Sequence, residues 1–230
     1  MKSTTNLFPE SVTVKAGRLP LKYGNLKLPE SIAVFNLPPV QTCGRHCAGC
    51  YAMKSQRQYK ETRTYRAEIL ALSKRPDFER LVISQIKARI VAGGASTMRI
   101  KCENRLQAVR VHESGDFYSA AYVKKWERIA RALPGVRFYA YTKRLDGRIC
   151  NAKISAALRQ LSRLVNFTLI DSMQYNAVNY GDIAELGAAI SAGAYLCPCR
   201  SGDRVKICGI KCTYCQDKKA QQFAPVFLKH

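Results

Sequence analysis

The chain has 230 residues, 47% of them hydrophobic, and carries 38 Lys and Arg against 16 Asp and Glu. This length suits one domain with a full core, and no apolar run reaches the roughly 18 residues of a transmembrane helix. Residues 1–10 also lack the apolar stretch of a signal peptide, so we expect a cytoplasmic protein without a membrane partner.

The formal net charge is +22, and an excess of this size creates a field that favours polyanions. We therefore expect a nucleic acid or a nucleotide as partner, and a basic surface without a specific partner is the alternative. The sequence leaves protein partners unknown. Ten cysteines in a cytosolic chain indicate metal binding, because thiols stay reduced in that compartment.

In chain order, residues 1–30 are predicted to form an irregular basic lead-in, residues 31–196 an α/β domain, and residues 197–230 a cysteine-rich metal-binding segment. Strands are predicted at Ser31–Leu37, Met98–Lys101, Ala108–Val111, Val136–Tyr141, Val165–Ile170 and Ala194–Leu196. Helices are predicted over Ala52–Ile90, with a break near Pro76, and over Tyr122–Leu133, Ile154–Leu164 and Asp182–Ala192. This alternation is typical of a parallel sheet with crossover helices.

Four polar segments each follow a predicted strand. They are Cys43–Cys50, Glu113–Phe117, Thr142–Lys143 and Asp171–Ser172. The carboxyl ends of parallel strands meet at one edge of a sheet, and functional groups gather there. We therefore expect these segments to share one rim of an open or closed barrel.

The first cysteine group is Cys43, Cys47 and Cys50, with three residues and then two residues between the thiols. Three thiolates on one loop leave a fourth coordination position unfilled, which suits a four-iron cluster with one reactive iron. The spacing is that of radical S-adenosylmethionine (SAM) enzymes. In those enzymes an aromatic residue usually precedes the third cysteine, whereas Gly49 occupies that position here. Zinc is the alternative, with His46 or a distant cysteine as fourth ligand.

The second cysteine group has five thiols within 19 residues, and they are Cys197, Cys199, Cys208, Cys212 and Cys215. Its last three members repeat the spacing of the first group. Only 15 residues follow Cys215, so this group cannot begin a barrel and is interpreted as a second metal centre. The centre is expected to be an auxiliary iron–sulfur cluster or a zinc knuckle that closes the C-terminal end, and structural stapling is the simpler interpretation. Cys102 and Cys150 have no motif partner and receive no role.

Several separated motifs occur in a recognisable order. They are Cys43 to Ala52, Arg110 to Tyr118, Trp126, Phe138 to Lys143, and Cys197-Pro198 with the terminal cysteines. Over roughly Ser31 to Cys215 this order resembles the gene product 88 family of phages and plasmids. That family is similar to radical SAM proteins, among them spore photoproduct lyase. The resemblance implies a partial (β/α) barrel of radical SAM type with a cysteine-rich C-terminal segment.

The resemblance also implies roles for particular residues. Cys43, Cys47 and Cys50 would hold a [4Fe-4S] cluster whose open iron SAM chelates through its amino and carboxylate groups. Ser114, Gly115 and Asp116 occupy the position of the Gly-Gly-Glu-like segment that meets the methionine amino group, although the letters differ. Glu113 is the competing carboxylate.

The remaining rim residues each have two interpretations. His112 and Glu113 are the candidate catalytic residues, but a lone histidine at a strand end is often only hydrogen-bonded within the structure. Thr142 and Lys143 could meet a carboxylate or phosphate of the cofactor, or Lys143 could be a solvated charge. Asp171 could bind ribose hydroxyls or cap the segment that follows.

A basic band follows the first cysteine group. Its members recur every third residue and are Lys54, Arg57, Lys60, Arg63 and Arg66, with Tyr51, Tyr59 and Tyr65 between them. On a helix this spacing forms a slowly spiralling stripe that suits a nucleic-acid backbone, with bases stacking on the rings. A solvated helix face is the alternative. Lys124, Lys125, Arg128 and Arg131 form a second basic face.

Two functions are consistent with these features. The first is a radical SAM-like enzyme, in which one-electron reduction of SAM yields a radical that abstracts hydrogen from a nucleic-acid or nucleotide substrate. The second is a nucleic-acid-binding protein of a phage or plasmid, stabilised by zinc or an iron–sulfur cluster and without catalysis. The vacant coordination position and the resemblance favour the enzyme.

Overall fold

The structure is a computed structural model that describes residues 12–25, 28–44, 50–94, 106–145, 152–172 and 212–222. It also describes residues 178–179, 188, 191, 195–196, 225–226 and 228–229. The longer elements, in chain order, are β1 (Lys22–Tyr23), β2 (Ile32–Phe35), α1 (Tyr51–Gln58), α2 (Lys60–Lys74), α3 (Phe78–Gly94), β3 (Ala108–Val111), α4 (Ala120–Ala132), β4 (Arg137–Thr142), α5 (Ala152–Leu161) and β5 (Phe167–Asp171). The chain is therefore a mixed α/β protein, as its sequence predicts.

The main sheet has five strands in the order β1-β2-β3-β4-β5. Strands β2 to β5 run parallel, and Phe35 aligns with Val111, which in turn aligns with Ala140. The predicted parallel sheet with crossover helices is confirmed, because α1–α3, α4 and α5 each connect two neighbouring parallel strands. A partial barrel of radical SAM type is a finer expectation that this sheet does not establish.

Part of the lead-in belongs to the sheet. β1 pairs antiparallel with β2, and Lys22 aligns with Val34. Leu21 is 3% exposed in the main core, and its backbone N–H donates to Gln85 on α3 at 3.0 Å. The expectation of an irregular segment over residues 1–30 is therefore wrong for Lys22–Tyr23, because an unpaired edge of β2 offers backbone partners.

The predicted helix over Ala52–Ile90 consists of three helices. The break near Pro76 is confirmed, since α2 ends at Lys74 and proline restricts the residue before it to extended backbone. A second break lies at Tyr59, whose φ of −119° and ψ of 112° are extended. The chain therefore turns between α1 and α2, and the basic band does not follow one continuous helix.

The two faces of the sheet have different coverings. On the helical face, alternate residues such as Phe35, Val109, Phe138 and Phe167 pack with residues of α2 to α5 in one core cluster. Trp126 of α4 lies at its centre, with its ring centroid 5.1 Å from that of Phe35. The second face carries a smaller cluster, formed by Leu28, Ile32, Val34, Ala108 and Tyr139.

The C-terminal segment packs on the second face. A short 3-10 helix at Tyr214–Gln216 lies against β4 and β5, and Thr168 Oγ1 donates to the Gln216 carbonyl at 3.1 Å. Lys218 Nζ donates to the carbonyls of Ser162 and Phe167, both at 2.6 Å. These bonds attach the cysteine-rich segment to the last strand of the sheet.

Short strand pairs complete the described elements. Val178–Asn179 pairs with Leu228–Lys229, and Tyr195–Leu196 pairs with Pro225–Val226, both in parallel. The strand predicted at Ala194–Leu196 is confirmed for its last two residues. The strand predicted at Met98–Lys101 and most of the helix predicted at Asp182–Ala192 lie outside the described residues. Within the described ranges, no helix is both long and apolar enough to cross a bilayer.

Candidate functional site

The four predicted polar segments follow the carboxyl ends of neighbouring parallel strands. Thr142 at the end of β4 aligns with Asp171 at the end of β5, and the backbone N–H of Ser172 donates to the Thr142 carbonyl at 2.8 Å. The Leu37 N–H donates to the Ser114 carbonyl at 2.9 Å, which joins the loop after β2 to the loop after β3. The expectation of a shared rim is confirmed for the described parts of these segments.

The first cysteine loop, Cys43–Cys50, follows β2 and ends where α1 begins. Cys43 and Cys50 are of intermediate exposure, and Cys47 lies outside the described residues. The carbonyl of Cys50 accepts hydrogen bonds from Met53 and Lys54, the first turn of α1. Cys50 is thus the N-cap residue of α1.

A buried arginine, Arg144, binds the backbone next to this loop. Arg144 is 6% exposed, and its Nη2 atom donates to the Thr42 carbonyl at 3.0 Å, immediately before Cys43. Gly44 has a φ of 70°, and a Cβ atom there would lie 2.5 Å from Arg144 Nη2. The absence of a side chain at Gly44 therefore allows the guanidinium to lie against the loop.

Asp116 connects two of the rim segments, Glu113–Phe117 and Thr142–Lys143. It is 5% exposed, and its Oδ1 atom accepts from Thr142 Oγ1 at 2.8 Å and from the Phe117 N–H at 2.7 Å. Its Oδ2 atom accepts from the Lys143 N–H at 3.1 Å. Burial raises the pKa of Asp116, and these hydrogen bonds act against that rise. The carboxylate predicted to meet the SAM amino group thus already has three donors within the protein.

Ser114 and Gly115 bring the loop after β3 close to the loop after β2. Ser114 Oγ donates to the Leu37 carbonyl at 2.9 Å. Gly115 has a φ of 83°, and a Cβ atom there would lie 2.6 Å from Thr42 Oγ1 and 2.7 Å from Leu37 Cβ. Only glycine fits this approach, which explains the glycine at the centre of the Ser114-Gly115-Asp116 segment.

His112 is a core residue in this structure. It is 3% exposed, its Nε2 atom lies 2.9 Å from the Tyr122 hydroxyl, and its ring packs edge-on against Phe117 with centroids 4.4 Å apart. Burial, followed by the charge of Arg144, lowers the pKa of His112 to about 3. A neutral, enclosed imidazole fits the structural alternative better than a general acid.

Glu113 lies beyond the end of β3 and faces the second side of the sheet. Its Oε1 atom accepts from Asn25 Nδ2 at 2.7 Å and lies 3.6 Å from Arg110 Nη1. The Tyr51 hydroxyl, from the first residue of α1, donates to the Glu113 carbonyl. The rim after β3 is therefore tied directly to the residue that follows the third cysteine.

The second cysteine group approaches the same face. Cys212 and Cys215 are of intermediate exposure, and Cys215 Sγ accepts a hydrogen bond from the Tyr141 hydroxyl on β4. Arg110, on β3, lies with its guanidinium carbon 5.6 Å from the centre of the Tyr141 ring. Residues adjoining both cysteine groups thus converge on the second face around Arg110.

The other predicted cofactor residues lie on the rim with different surroundings. Thr142 is 1% exposed, and its Oγ1 atom also accepts from the Arg144 N–H at 3.1 Å. Lys143 and Asp171 are of intermediate exposure. Their predicted contacts with a carboxylate, a phosphate or ribose hydroxyls stay predictions.

The metal sites are described only in part. Cys43 and Cys50 of the first group and Cys212 and Cys215 of the second are described, whereas Cys47, Cys197, Cys199 and Cys208 lie outside the described residues. Within the described part of the chain, no group of three or more His, Cys, Asp or Glu residues is arranged to hold a metal ion. The three-thiol sets therefore stay predictions.

The basic band does not form one surface. Lys54, Arg57 and Lys60 are exposed, Arg63 is half-buried and Arg66 is 7% exposed. The guanidinium of Arg66 donates to the Ala52 carbonyl at 2.8 Å, which joins α2 to α1. Residues at a spacing of three drift around a helix, so Arg66 lies on the side of α2 that faces α1 and not on the surface.

The interleaved tyrosines divide in the same way. Tyr51 and Tyr59 are 65% and 51% exposed, whereas Tyr65 is 7% exposed. The Lys22 ammonium lies 3.8 Å from the centre of the Tyr65 ring, and the Tyr65 hydroxyl donates to the Pro20 carbonyl at 3.2 Å. Tyr51 and Tyr59 remain available to stack on bases, and Tyr65 is part of the core.

Arg110, Arg144 and Tyr141 were missing from the sequence-based site. Arg110 interrupts the apolar strand Ala108–Val111, and a charge in the middle of a short buried strand is the signal that could have identified it. Arg144 directly follows Lys143 and gave no separate signal. Tyr141 fitted the alternation of a strand and gave no separate signal.

Comparisons with known proteins identify a family. A family model described as "Gene product 88" matches residues 10–175, which is more than half of the chain. A stretch of 34 residues is 50% identical to the "Gene 88 protein" of Mycobacterium phage L5, and it covers 15% of this chain and 14% of that protein. The chain thus aligns with far less than two thirds of this relative. No solved structure matches.

Proposed function

The chain belongs to the Gene product 88 family, and we propose that it is an iron–sulfur enzyme of radical SAM type that acts on a nucleic acid or nucleotide. The observation that carries this proposal is the position of the first cysteine loop. Cys43 follows the first parallel strand, β2, at the carboxyl edge of the sheet, and Cys50 immediately precedes α1. A cofactor bound there would face the polar loops after β3 and β4.

The donor set fits an iron–sulfur cluster. Thiolates are the ligands that such clusters prefer, and Cys43 and Cys50 are both partly exposed. A cluster held by Cys43, Cys47 and Cys50 supplies one-electron reduction of SAM when it is bound. The zinc alternative needs a fourth ligand, and His46 is the candidate that the loop itself offers.

The surrounding residues would orient the loop and exclude water. Arg144 holds the Thr42 carbonyl, and Thr42 Oγ1 accepts from the Asp116 N–H at 3.2 Å. Asp116 in turn joins the ends of β3 and β4 through Thr142 and Lys143. Because this network is buried, it would keep the thiols in one arrangement relative to the rim.

Exposed cations beside the loop support a nucleic-acid or nucleotide substrate. Lys54, Arg57 and Lys60 project from α1 and the start of α2, next to the exposed rings of Tyr51 and Tyr59. This surface equally favours the second candidate, a metal-stabilised nucleic-acid-binding protein without catalysis.

Metal and acid-labile sulfide analysis of anaerobically purified protein separates these functions. We expect iron and sulfide, an oxygen-sensitive brown colour, and cleavage of SAM after reduction. The triple variant Cys43→Ser, Cys47→Ser and Cys50→Ser should lose the iron of one cluster and all SAM cleavage, whereas Cys102→Ser should retain both. Tightly bound zinc without sulfide, after anaerobic reconstitution with iron, would refute the enzyme and leave the binding protein.

A further inference from the structure

Arg110 has fewer partners than its five N–H donors can serve. It lies on the second face, aligned with Val34 on β2 and Tyr139 on β4. Its side chain is 22% exposed, and its Nε atom is buried without a hydrogen-bond partner among the described residues. A guanidinium in this state has desolvated donors that a bound anion would satisfy.

Glu113 is the only carboxylate that pairs with Arg110 among the described residues, and it is held away from full contact. Its Oε1 atom accepts from Asn25 at 2.7 Å, and its Oε2 atom lies 3.5 Å from Asn36 Nδ2. The remaining distance from Oε1 to Arg110 Nη1 is 3.6 Å, which is too long for a hydrogen bond. Glu113 therefore offsets part of the charge without forming a hydrogen bond to the guanidinium.

The surroundings of Arg110 belong to both cysteine groups. Tyr51, directly after Cys50, reaches the Glu113 carbonyl, and Tyr141, beside the Arg110 guanidinium, donates to Cys215. An anion on Arg110 would therefore lie between the rim beside the first thiol loop and the C-terminal thiols. Tyrosine rings at this position provide flat surfaces for a base or a ribose.

We propose that Arg110 binds the phosphate group of a nucleotide substrate on the second face of the sheet. A guanidinium matches the oxygen geometry of phosphate with two parallel hydrogen bonds, which makes arginine the preferred residue for this group. The inference deepens the proposed function, on which it rests, by assigning Arg110 as the residue that recognises the substrate. The methionine carboxylate of SAM is the other anion that this guanidinium could hold.

The test is equilibrium binding by the anaerobically purified full chain, with iron measured in every sample. The probes are thymidine 5′-monophosphate, which carries a phosphate, thymidine, which lacks it, and S-adenosylhomocysteine, which carries a carboxylate. The variants are Arg110→Gln and Arg110→Lys. Arg80→Gln is the matched charge control, because Arg80 is 76% exposed and pairs with Asp77 only at 3.8 Å.

We expect the wild type to bind the monophosphate roughly tenfold or more tightly than the nucleoside, in line with a charged hydrogen-bond pair. Arg110→Gln should abolish this preference and Arg80→Gln should retain it. Arg110→Lys keeps the positive charge but cannot form two parallel hydrogen bonds, so it should lose most of the preference for the monophosphate. This variant tests the inference even if Arg110→Gln does not fold.

An undiminished preference in folded Arg110→Gln, or in Arg110→Lys, would overturn the inference, as would equal affinity for both thymidine probes in the wild type. Loss of S-adenosylhomocysteine binding alone would assign the guanidinium to a carboxylate and also overturn it. Binding of the monophosphate requires no turnover. An Arg110-dependent preference in protein that holds zinc and no sulfide after anaerobic reconstitution with iron would therefore leave this site standing although the proposed enzyme is refuted.

Discussion

The hydroxyl of Tyr141 donates a hydrogen bond to the Sγ atom of Cys215 at 2.8 Å. Tyr141 lies on β4, one residue before the rim, and Cys215 lies in the C-terminal segment, so the bond fixes that segment to the central sheet. Burial raises the pKa of the Cys215 thiol, and the bond from Tyr141 acts to lower it. The bond therefore favours the thiolate that a metal would need.

The C-terminal thiols are expected to support folding through a second metal centre. Replacing Cys212 and Cys215 by Ser should lower bound metal and thermal stability together, because an unfolded chain has no preformed site. Metal analysis and thermal unfolding of the same preparations measure both quantities. Tyr141→Phe serves as a comparison variant. It removes one hydrogen bond, so the free energy of unfolding should fall by about 1 kcal/mol while the metal remains bound. Unchanged metal content in the double variant would contradict the prediction.

The close approach at Gly115 is expected to be a determinant of stability. Gly115→Ala should lower the free energy of unfolding by roughly 3 kcal/mol, because a Cβ meets Thr42 and Leu37 and the residue keeps a positive φ. Gly17→Ala is the matched control, since its φ of 71° is similar but nothing lies within 4 Å of the added atom. It should cost only about 1 kcal/mol in the same urea titration. Equal losses in the two variants would show that contact with Thr42 and Leu37 is unimportant.

The exposed part of the basic band is expected to bind nucleic-acid phosphates. Arg57→Gln combined with Lys60→Gln should weaken binding to single-stranded DNA and reduce the slope of log affinity against log salt by roughly 1.4, about 0.7 for each lost contact. Titrations at several salt concentrations measure this slope. The control pair Lys153→Gln and Arg163→Gln also removes two exposed positive charges, but from the region of α5. A similar change of slope in the control pair would mean that net charge, and not this surface, determines binding.

His112 is expected to make the fold sensitive to acid. Its pKa is about 3 in the folded chain, whereas an unperturbed histidine titrates near 6.5. Between these values the unfolded chain takes up a proton that the folded chain does not, so the free energy of unfolding falls as pH is lowered. The fall amounts to about 1.4 kcal/mol per pH unit once the pH is below 6.5.

The variant His112→Asn tests this linkage, because asparagine tolerates the φ of 65° at this position. The loss of stability between pH 7 and pH 5 should be roughly 2 kcal/mol smaller in the variant than in the wild type. Urea unfolding at both pH values provides the comparison, and His230→Asn serves as the control for removing a histidine. Parallel pH profiles for wild type and His112→Asn would rule out a buried neutral imidazole.

The order of elements and the shared rim could be predicted from the sequence. Apolar runs such as Ala108–Val111 and Phe138–Tyr141, separated by amphipathic helices, leave few topologies besides a parallel sheet with crossovers. Polar residues directly after each run then meet at one edge for geometric reasons. The cysteine spacing is also a property of the chain alone. Together with the other motifs in their order, it carries the resemblance to the Gene product 88 family that the family match over residues 10–175 supports.

Tertiary packing decided which of the polar residues are available for chemistry. A spacing of three does not specify which side of a helix faces the core, so the burial of Arg66 and Tyr65 depended on where α2 meets α1 and β1. His112 and Asp116 look like site residues in the sequence, yet both are buried: His112 Nε2 pairs with the Tyr122 hydroxyl, and the Asp116 carboxylate accepts from Thr142 and the Lys143 backbone. The unpaired donors of Arg110 also depend on tertiary structure. β2 and β4 lie on either side of this residue, and partners far apart in sequence determine which of its donors remain unsatisfied.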